Sequence, residues 1–173
     1  KGPGSYTGLR IGVSTAKGIA YALGKPLLSS GTLENMAHGD LLHPNIHALS
    51  SRYEQNLLLC PMLDARRMEV YTAFYTTGMD LIRPVTADIV NSESFRDLLD
   101  SHHICFYGNG AEKCQQVIQH PQAHFVPGID PSAIHMIKPV LERFAAANFE
   151  DVAYFEPFYL KDFIATIPKR KVL

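Results

Sequence analysis

A glycine-rich turn that leads directly into a slender helix constrains this chain more than any other feature. The turn is Gly2-Pro3-Gly4, after which Ser5 or Thr7 can cap a helix predicted over residues 7–23. Gly24 gives that helix a clear end. Its small residues are Gly12, Ala16, Gly18, Ala20 and Ala22. An interior glycine costs a helix about 1 kcal/mol, so close packing against a neighbouring backbone is expected to offset the loss.

Hydrophobic periodicity predicts which side of this helix is buried. Apolar residues recur at three- and four-residue spacing, namely Leu9, Val13, Ala16, Ala20 and Leu23. A stripe of this kind is typical of a helix that lies against the rest of its own domain or against another helix.

The remainder of the chain alternates between strand and helix patterns. Strands are predicted over residues 27–30, 56–63, 67–75, 87–90, 104–107, 123–126 and 158–160. Further helices are predicted after caps at Thr32 and Ser92, over residues 111–119 and over residues 132–148. Residues 43–53 are interpreted as a polar loop broken by Pro44. The apolar run 56–63 indicates a central strand, hairpin-linked to the next one, so we expect a mixed α/β sheet covered by helices.

Two polar motifs are candidates for binding an anion or a partner. Small residues before a helix N-terminus can present backbone N–H groups to an anion, and here these are Gly2, Gly4, Ser5 and Thr7. The loop does not have the Walker A pattern, and a purely structural turn is the competing interpretation. The second motif is Asp64-Ala65-Arg66-Arg67, where paired arginines suit carboxylates or phosphates, although a locally bonded turn is an equal alternative.

Charge and cysteine usage argue against several functional classes. The net charge is -1, whereas proteins that bind nucleic acid alone usually carry a strong basic excess, so any RNA contact is local or made by a partner. The basic run at Lys169, Arg170 and Lys171 is interpreted as a solvated tail.

Cys60 and Cys105 are expected to be buried, reduced thiols. No apolar run of about 20 residues occurs, so the protein is expected to be cytoplasmic and not membrane-bound.

Catalytic and metal-binding patterns find little support in the sequence. There is no HExxH motif; His43 and His47 are separated by Pro44, and adjacent His102 and His103 cannot face one site from a helix or strand. Surface histidines are therefore preferred to a metal site. No Ser-His-Asp or Cys-His arrangement is recognisable, and Cys60 lies in a buried run.

Four stretches together resemble a known family. The segment GPGSYTGLRIGVSTAKGIA, residues 2–20, closely resembles the signature of the TsaB (YeaZ) family, and DARRMEVY, residues 64–71, resembles that family's DARR-x-EVY segment. EPFYLK, residues 156–161, is similar to its EP-x-YLR segment, with Lys161 in place of the usual arginine. Residues 30–34 fit the segment after the first helix, so the resemblance spans nearly the whole chain. The first motif is shared, in weaker form, with the paralogous catalytic subunit TsaD.

The resemblance implies a fold and a domain organisation. The fold would be actin-like, built from two ribonuclease-H-like α/β lobes, with an incomplete first lobe and a second lobe carrying a mixed sheet. Residues 1–41 would be the remainder of the first lobe, residues 42–160 the second lobe, and residues 161–173 an extended tail. The helix over 132–148 would pack back on the first lobe. An amino-terminal part of the family's first lobe is expected to be missing here.

The resemblance also implies a function. The chain would be a non-catalytic subunit that pairs with TsaD, joins the ATPase TsaE in a ternary complex, and supports transfer of a threonylcarbamoyl group to adenosine beside the tRNA anticodon. ATP and a metal would belong to the partner subunits, no cofactor to this chain, and tRNA would be met only through the complex. The isolated chain could form a homodimer, and an adapter that works mainly as a homodimer is a further alternative.

The partner interface implied by the family lies on the slender helix. Its residues here are Gly8, Gly12, Val13, Ala16 and Ala20. Two alternatives from another class remain open: a glycoprotease-type metallopeptidase and an actin-like nucleotide hydrolase.

Overall fold

The computed structural model describes residues 1–160. The expected extended tail over residues 161–173, the basic run at Lys169 to Lys171 and the final Lys161 of the EP-x-YLR-like segment lie outside the described residues. In residues 1–160 no helix is both long and apolar enough to cross a lipid bilayer.

A five-stranded mixed sheet forms the centre of the molecule. Its strands are β1 Leu57–Asp64, β2 Glu69–Thr76, β3 Leu81–Ile89, β4 His103–Tyr107 and β5 Ala123–Val126. The strand order is β3-β2-β1-β4-β5, with β1, β2 and β3 antiparallel and β4 and β5 parallel to β1. The prediction of a mixed α/β sheet with a central apolar strand is confirmed, since Leu57 to Leu63 are all buried in β1.

The helices of residues 1–160 are α1 Tyr6–Leu23, α2 Thr32–Asp40, α3 Pro44–Tyr53, α4 Arg96–Leu99, α5 Ala111–Gln115 and α6 Ile137–Ala145. Helices α2 and α3 pack on one face of the sheet and α4 and α5 on the other, and together they enclose two hydrophobic cores. On one face Leu33 and Met36 of α2 pack with Ile46 of α3 against β1. On the other face Phe95 and Cys114 pack against Phe74 and its neighbours. The predicted boundary after residue 41 stays a prediction, but α2, which it assigns to the first lobe, covers this sheet.

Several predicted elements were wrong in kind or extent. Residues 44–53 are a helix and not a loop, because Pro44 occupies the first helical position, where no N–H donor is needed. The cap of α2 is Gly31, whose N–H donates to the Glu34 carboxylate at 2.9 Å, and not Thr32. Strand β3 begins at Leu81 and tolerates Pro84 because it is an edge strand.

The remaining corrections concern short elements. Residues 27–30 form only an isolated bridge, at Leu27, and residues 158–160 form no strand, although the Phe158 N–H donates to the Lys1 carbonyl at 2.8 Å. Ser92 caps no helix; α4 begins four residues later. The predicted long helix divides into a 3-10 turn at Ala133–Met136 and α6. Helix α6 contacts α2, where Arg143 forms two hydrogen bonds, of 2.7 and 2.9 Å, with Glu34. That this helix packs back on a first lobe stays a prediction.

Helix α1 lies on the carboxy-terminal part of the described chain. The Lys17 ammonium donates to the carbonyls of Ala153 and Phe155, at 3.0 and 2.8 Å, and the rings of Tyr6 and Tyr159 lie 5.0 Å apart. Residues 150–159 are a single loop segment with a turn at residues 152–154, and this segment is much narrower than a sheet. It therefore covers only a thin strip of the helix, and Ala20 is the one residue of α1 that is fully buried.

Candidate functional site

A cleft of about 860 Å³ lies between the start of α1 and the turn that joins β1 to β2. Both polar motifs singled out in the sequence contribute to it. Its lining includes Gly4, Ser5 and Thr7 from the first motif, the adjacent Gly8, and Asp64 and Arg66 from the second motif. Two stretches that are some 60 positions apart in the chain thus form one site. Gly2 and Arg67, which were predicted with them, do not line the cleft.

The α1 side of the cleft is a capped helix terminus. Ser5 is the N-cap, and its Oγ accepts a hydrogen bond from the Gly8 N–H at 3.4 Å, as one of the two predicted caps. Gly2 has a structural role instead: it is buried, has a φ of 121°, and accepts from the Thr32 N–H at 2.8 Å. The loop before α1 is therefore hydrogen-bonded to the start of α2.

The opposite side of the cleft is a turn with an unusual backbone. Arg66 and Arg67 both have positive φ, 70° and 50°. Left-handed geometry costs a non-glycine residue about 1 kcal/mol or more, so other contacts have to stabilise the turn. The Asp64 carboxylate accepts from the Arg66 N–H at 3.0 Å, and the Asp64 N–H donates to the Asn109 Oδ1 at 3.0 Å. The local bonding of Asp64 that the sequence suggested is confirmed.

Lys113 of α5 is the residue that the sequence analysis missed. Its ammonium is hydrogen-bonded to the Asp64 carboxylate and donates to the carbonyls of Arg67 and Glu69, both at 2.7 Å. These acceptors are 44 to 49 positions away in the chain, so no local pattern pointed to the contact. The hydrogen bond from Lys113 holds the pKa of Asp64 below its usual range.

The outer face of α1 is the second notable surface. This face consists of Gly8, Ile11, Gly12, Thr15, Ile19 and Ala22, which helical geometry places on one side. All six are exposed and none is charged, with Ile11 63% and Ile19 56% exposed. A methyl group added at Gly12 would meet nothing within 4 Å.

The five residues predicted to form the partner interface differ in their exposure to solvent. Gly8, Gly12 and Ala16 are exposed, whereas Val13 is half-buried and Ala20 is buried on the side that faces residues 150–159. Ala16 and Leu23 were also predicted in the buried stripe and are exposed. Ala16 and Leu23 are exposed because residues 150–159 form a narrow segment that covers only Leu9, Val13 and Ala20 of that stripe. The exposed part of the predicted interface is thus Gly8, Gly12 and Ala16.

The thiols are poorly suited to nucleophilic chemistry. Cys60, Cys105 and Cys114 are all buried and unpaired, as expected for the first two. Burial raises the pKa of Cys105 to about 12 and that of Cys60 well above its usual value. These cysteines are therefore thiols and not thiolates at neutral pH.

The histidines are less solvated than the sequence suggested. The His103 Nδ1 and the His124 Nε2 lie 3.0 Å apart on neighbouring strands, and the ring of Tyr53 stacks on His103 at 3.7 Å. His135 lies 3.3 Å from the buried Asp40. Across residues 1–160 no three His, Cys, Asp or Glu side chains converge in a way that could hold a metal ion. The metallopeptidase alternative gains no support from this part of the chain.

Comparison with known proteins gives a consistent result. Residues 1–169 match the family model described as TsaD: tRNA N6-adenosine threonylcarbamoyltransferase. The chain is 39% identical over 88 residues to the tRNA threonylcarbamoyladenosine biosynthesis protein TsaB of Bacillus subtilis, a stretch that covers 51% of this chain and 33% of that protein. It is 36% identical over 75 residues to TsaB of Escherichia coli, covering 43% of this chain and 28% of that protein. The matches thus span about a third of these relatives' length.

Solved structures show the same fold. A crystal structure of an uncharacterized Pseudomonas aeruginosa protein, described as similar to peptidase YeaZ, superposes with a TM-score of 0.74 at 23% identity, covering 92% of this chain and 70% of that one. YeaZ from the same organism superposes with a TM-score of 0.68 at 23% identity, covering 92% and 71%. The fold is therefore of the actin-like, ribonuclease-H-like type, as the resemblance implied.

Proposed function

Because the chain belongs to the TsaD family of tRNA N6-adenosine threonylcarbamoyltransferases, we propose that it is a non-catalytic subunit that binds TsaD. In this role it activates TsaD to transfer a threonylcarbamoyl group to the adenosine next to the tRNA anticodon. The relatives named TsaB, at 36% to 39% identity, support a place in that pathway.

The observation that carries the proposal is the outer face of α1. Ile11 and Ile19 are more than half exposed on an 18-residue helix that has a single fully buried residue. An uncharged helix face that exposes large aliphatic side chains suits contact with another protein. Gly8 and Gly12 lie beside Ile11 on this face, and because they have no side chains they leave room for a second helix to approach closely.

A non-catalytic role is consistent with the chemistry of the described residues. The three thiols are buried, and burial raises the pKa of each of them. The cleft beside α1 is lined by an arginine, a helix N-terminus and the Asp64 carboxylate, which is paired with Lys113, and among residues 1–160 no histidine lines it. In this part of the chain the hydroxyls of Ser5 and Thr7 thus have no histidine base beside them, and the set of groups suits binding and orienting a ligand.

The proposal extends to the wider assembly. TsaE joins the TsaD-bound form as a third subunit, and ATP and a metal ion are held by the partners and not by this chain. The tRNA contacts the chain only through the complex, in the cytoplasm. In the absence of TsaD, the same uncharged face of α1 supports a homodimer.

Reconstitution tests the function directly. The chain, TsaD, TsaE and a source of threonylcarbamoyl-adenylate are combined with unmodified tRNA, and modified adenosine is measured by mass spectrometry of digested tRNA. We expect turnover with the chain present and a drop to background without it. Equal turnover in both reactions would exclude a role in the transfer.

The same preparation distinguishes the two alternatives. The chain alone is incubated with ATP and, separately, with a glycoprotein substrate in the presence of zinc or iron. We expect neither phosphate release nor cleavage above a heat-inactivated control. Hydrolysis of either substrate by the chain alone would favour the nucleotide hydrolase or the metallopeptidase.

A further inference from the structure

Lys113 connects α5 to the turn at the cleft through all three of its N–H donors. One is directed to the Asp64 carboxylate, and the other two reach the carbonyls of Arg67 and Glu69 at 2.7 Å each. A lysine ammonium has three donors and no acceptor, so this arrangement uses its full capacity. The Lys113 side chain is 24% exposed, which leaves it mostly shielded from water.

These contacts act on the part of the backbone that needs support. Arg66 and Arg67 are consecutive non-glycine residues with positive φ, and a run of two such residues is uncommon. Lys113 binds a group on each side of that pair: Asp64 before it and the Arg67 and Glu69 carbonyls at its end. The ammonium therefore fixes the left-handed turn and with it the direction in which Arg66 leaves the backbone.

The support that Lys113 gives to the turn matters because Arg66 lies in that turn and lines the cleft. Arg66 lines the cleft opposite Ser5 and Thr7, whereas the carboxylate nearest to it in sequence, Asp64, is paired with Lys113. Over residues 1–160 no carboxylate forms an ion pair with the Arg66 guanidinium. Arg66 is exposed, and its guanidinium has two parallel donors that suit an external carboxylate.

We propose that Lys113 is a positioning residue for partner binding: it holds the turn at residues 64–67 so that Arg66 meets an acidic side chain of the partner subunit at the mouth of the cleft. This inference rests on the proposed function, since it assigns a second contact to the same partner. The two polar motifs then have different roles. The first motif forms one wall of the cleft, and the second supplies the positive charge of Arg66.

The test is a double-mutant cycle on binding to purified TsaD, measured by calorimetry. Lys113→Met removes the ammonium and keeps most of the side-chain volume, and Arg66→Ala removes the guanidinium. We expect each variant to weaken the Kd by about tenfold, as for loss of one charged hydrogen bond, and the double variant to be no weaker than either alone. Non-additivity of this kind is the mark of a residue that acts through another.

Two further readouts separate positioning from a general loss of structure. Raising the salt concentration should weaken wild-type binding more steeply than binding of Lys113→Met or Arg66→Ala, because both variants lack the directed charge contact. Lys138→Met, at an exposed lysine of α6, should retain the wild-type Kd and salt dependence. If Lys113→Met does not fold, Asp64→Asn removes the charged acceptor instead and should reproduce the shallower salt dependence.

The outcomes distinguish this inference from the proposed function. If wild-type chain does not bind TsaD, the proposed function fails and this inference fails with it. If wild-type chain binds and the folded Lys113→Met variant binds with equal Kd, only the positioning role is overturned. Additive losses in the double variant would show that Lys113 acts independently of Arg66, which also contradicts the proposal.

Discussion

At the scale of single residues, Gly108 shows how tightly the core constrains the backbone. It follows β4 with a φ of 100°, and a methyl group there would overlap the Met62 carbonyl and lie 2.7 Å from the Met36 Cε. We predict that Gly108→Ala lowers the free energy of unfolding by about 2 to 4 kcal/mol, because it combines left-handed strain with overpacking.

Gly18 provides the matched control for that measurement. It lies inside α1 with nothing within 4 Å of an added methyl group. Gly18→Ala should stabilise the chain by up to about 1 kcal/mol through helix propensity alone. Urea denaturation followed by circular dichroism measures both variants. Equal effects at the two glycines would contradict the packing explanation.

Asp40 gives the chain a predictable dependence on pH. Its side chain is 5% exposed at the end of α2, next to His135 and close to Tyr107, and burial raises its pKa to about 7 from 3.8. The folded state thus holds the proton more tightly than the unfolded state. The stability that the protonated carboxyl provides is complete below about pH 4 and is lost as the pH rises through about 7.

We therefore predict that Asp40→Asn flattens the pH dependence of unfolding. Between pH 5 and pH 7 the wild-type free energy of unfolding should fall by up to about 1.4 kcal/mol per pH unit more than that of the variant. Asp130→Asn, at an exposed aspartate, should retain the wild-type slope. Parallel curves for wild type and Asp40→Asn would show that this carboxyl does not titrate in that range.

Residue-level prediction succeeded where the partners are close in sequence. The Ser5 cap and the bond between Asp64 and Arg66 span two or three positions, so the residue types alone indicated them. Lys113 could not be found in that way. Its contact with Asp64 exists only because α5 follows β4, which pairs with β1, and no local pattern contains that information.

At the scale of secondary structure elements, α1 was predicted almost to the residue, but its surroundings were not. Periodicity correctly placed Leu9, Val13 and Ala20 inward, yet it could not show that only one narrow segment covers them. The loop predicted at residues 43–53 failed for a related reason. A proline breaks a helix in its interior but is well accommodated at the start, and the sequence did not reveal which position Pro44 holds.

The exposed residues of the predicted partner interface lead to a prediction about partner binding. Gly12→Leu and Ala16→Leu add bulk at exposed positions where a second helix would approach. We expect each variant to keep the wild-type melting temperature within about 2 °C, since surface substitutions usually change stability little, and to lose co-elution with TsaD in size-exclusion chromatography. Ser51→Leu, on the exposed side of α3, is the control and should co-elute normally. Unchanged co-elution of both α1 variants would argue against this interface.

At the scale of the whole molecule, the sheet and α1 differ sharply in how they are held. Every residue from Leu57 to Leu63 is buried in β1, while α1 has a single fully buried residue. Local opening follows the density of buried contacts, so it should be far easier in α1 than in the sheet. The strand order could be anticipated only in part, because the sequence indicated the hairpin but not which strand β4 would join.

Hydrogen exchange measured by mass spectrometry tests this difference. Amides of β1 and β4 should exchange on the order of 100-fold more slowly than those of α1. Addition of TsaD should slow exchange in α1 and leave β1 unchanged, whereas an excess of unrelated protein should change neither. Equal protection of α1 and the sheet in the isolated chain would mean that the helix is covered in solution.

The exposed outer face of α1 has a consequence for the synthesis of the protein. If TsaD covers this face, a copy made in the absence of TsaD keeps Ile11 and Ile19 exposed to water, where chaperones or other unfolded chains bind them. The yield of usable subunit would then depend on synthesis of this chain and TsaD in equal amounts. An excess of this chain would be degraded by proteolysis.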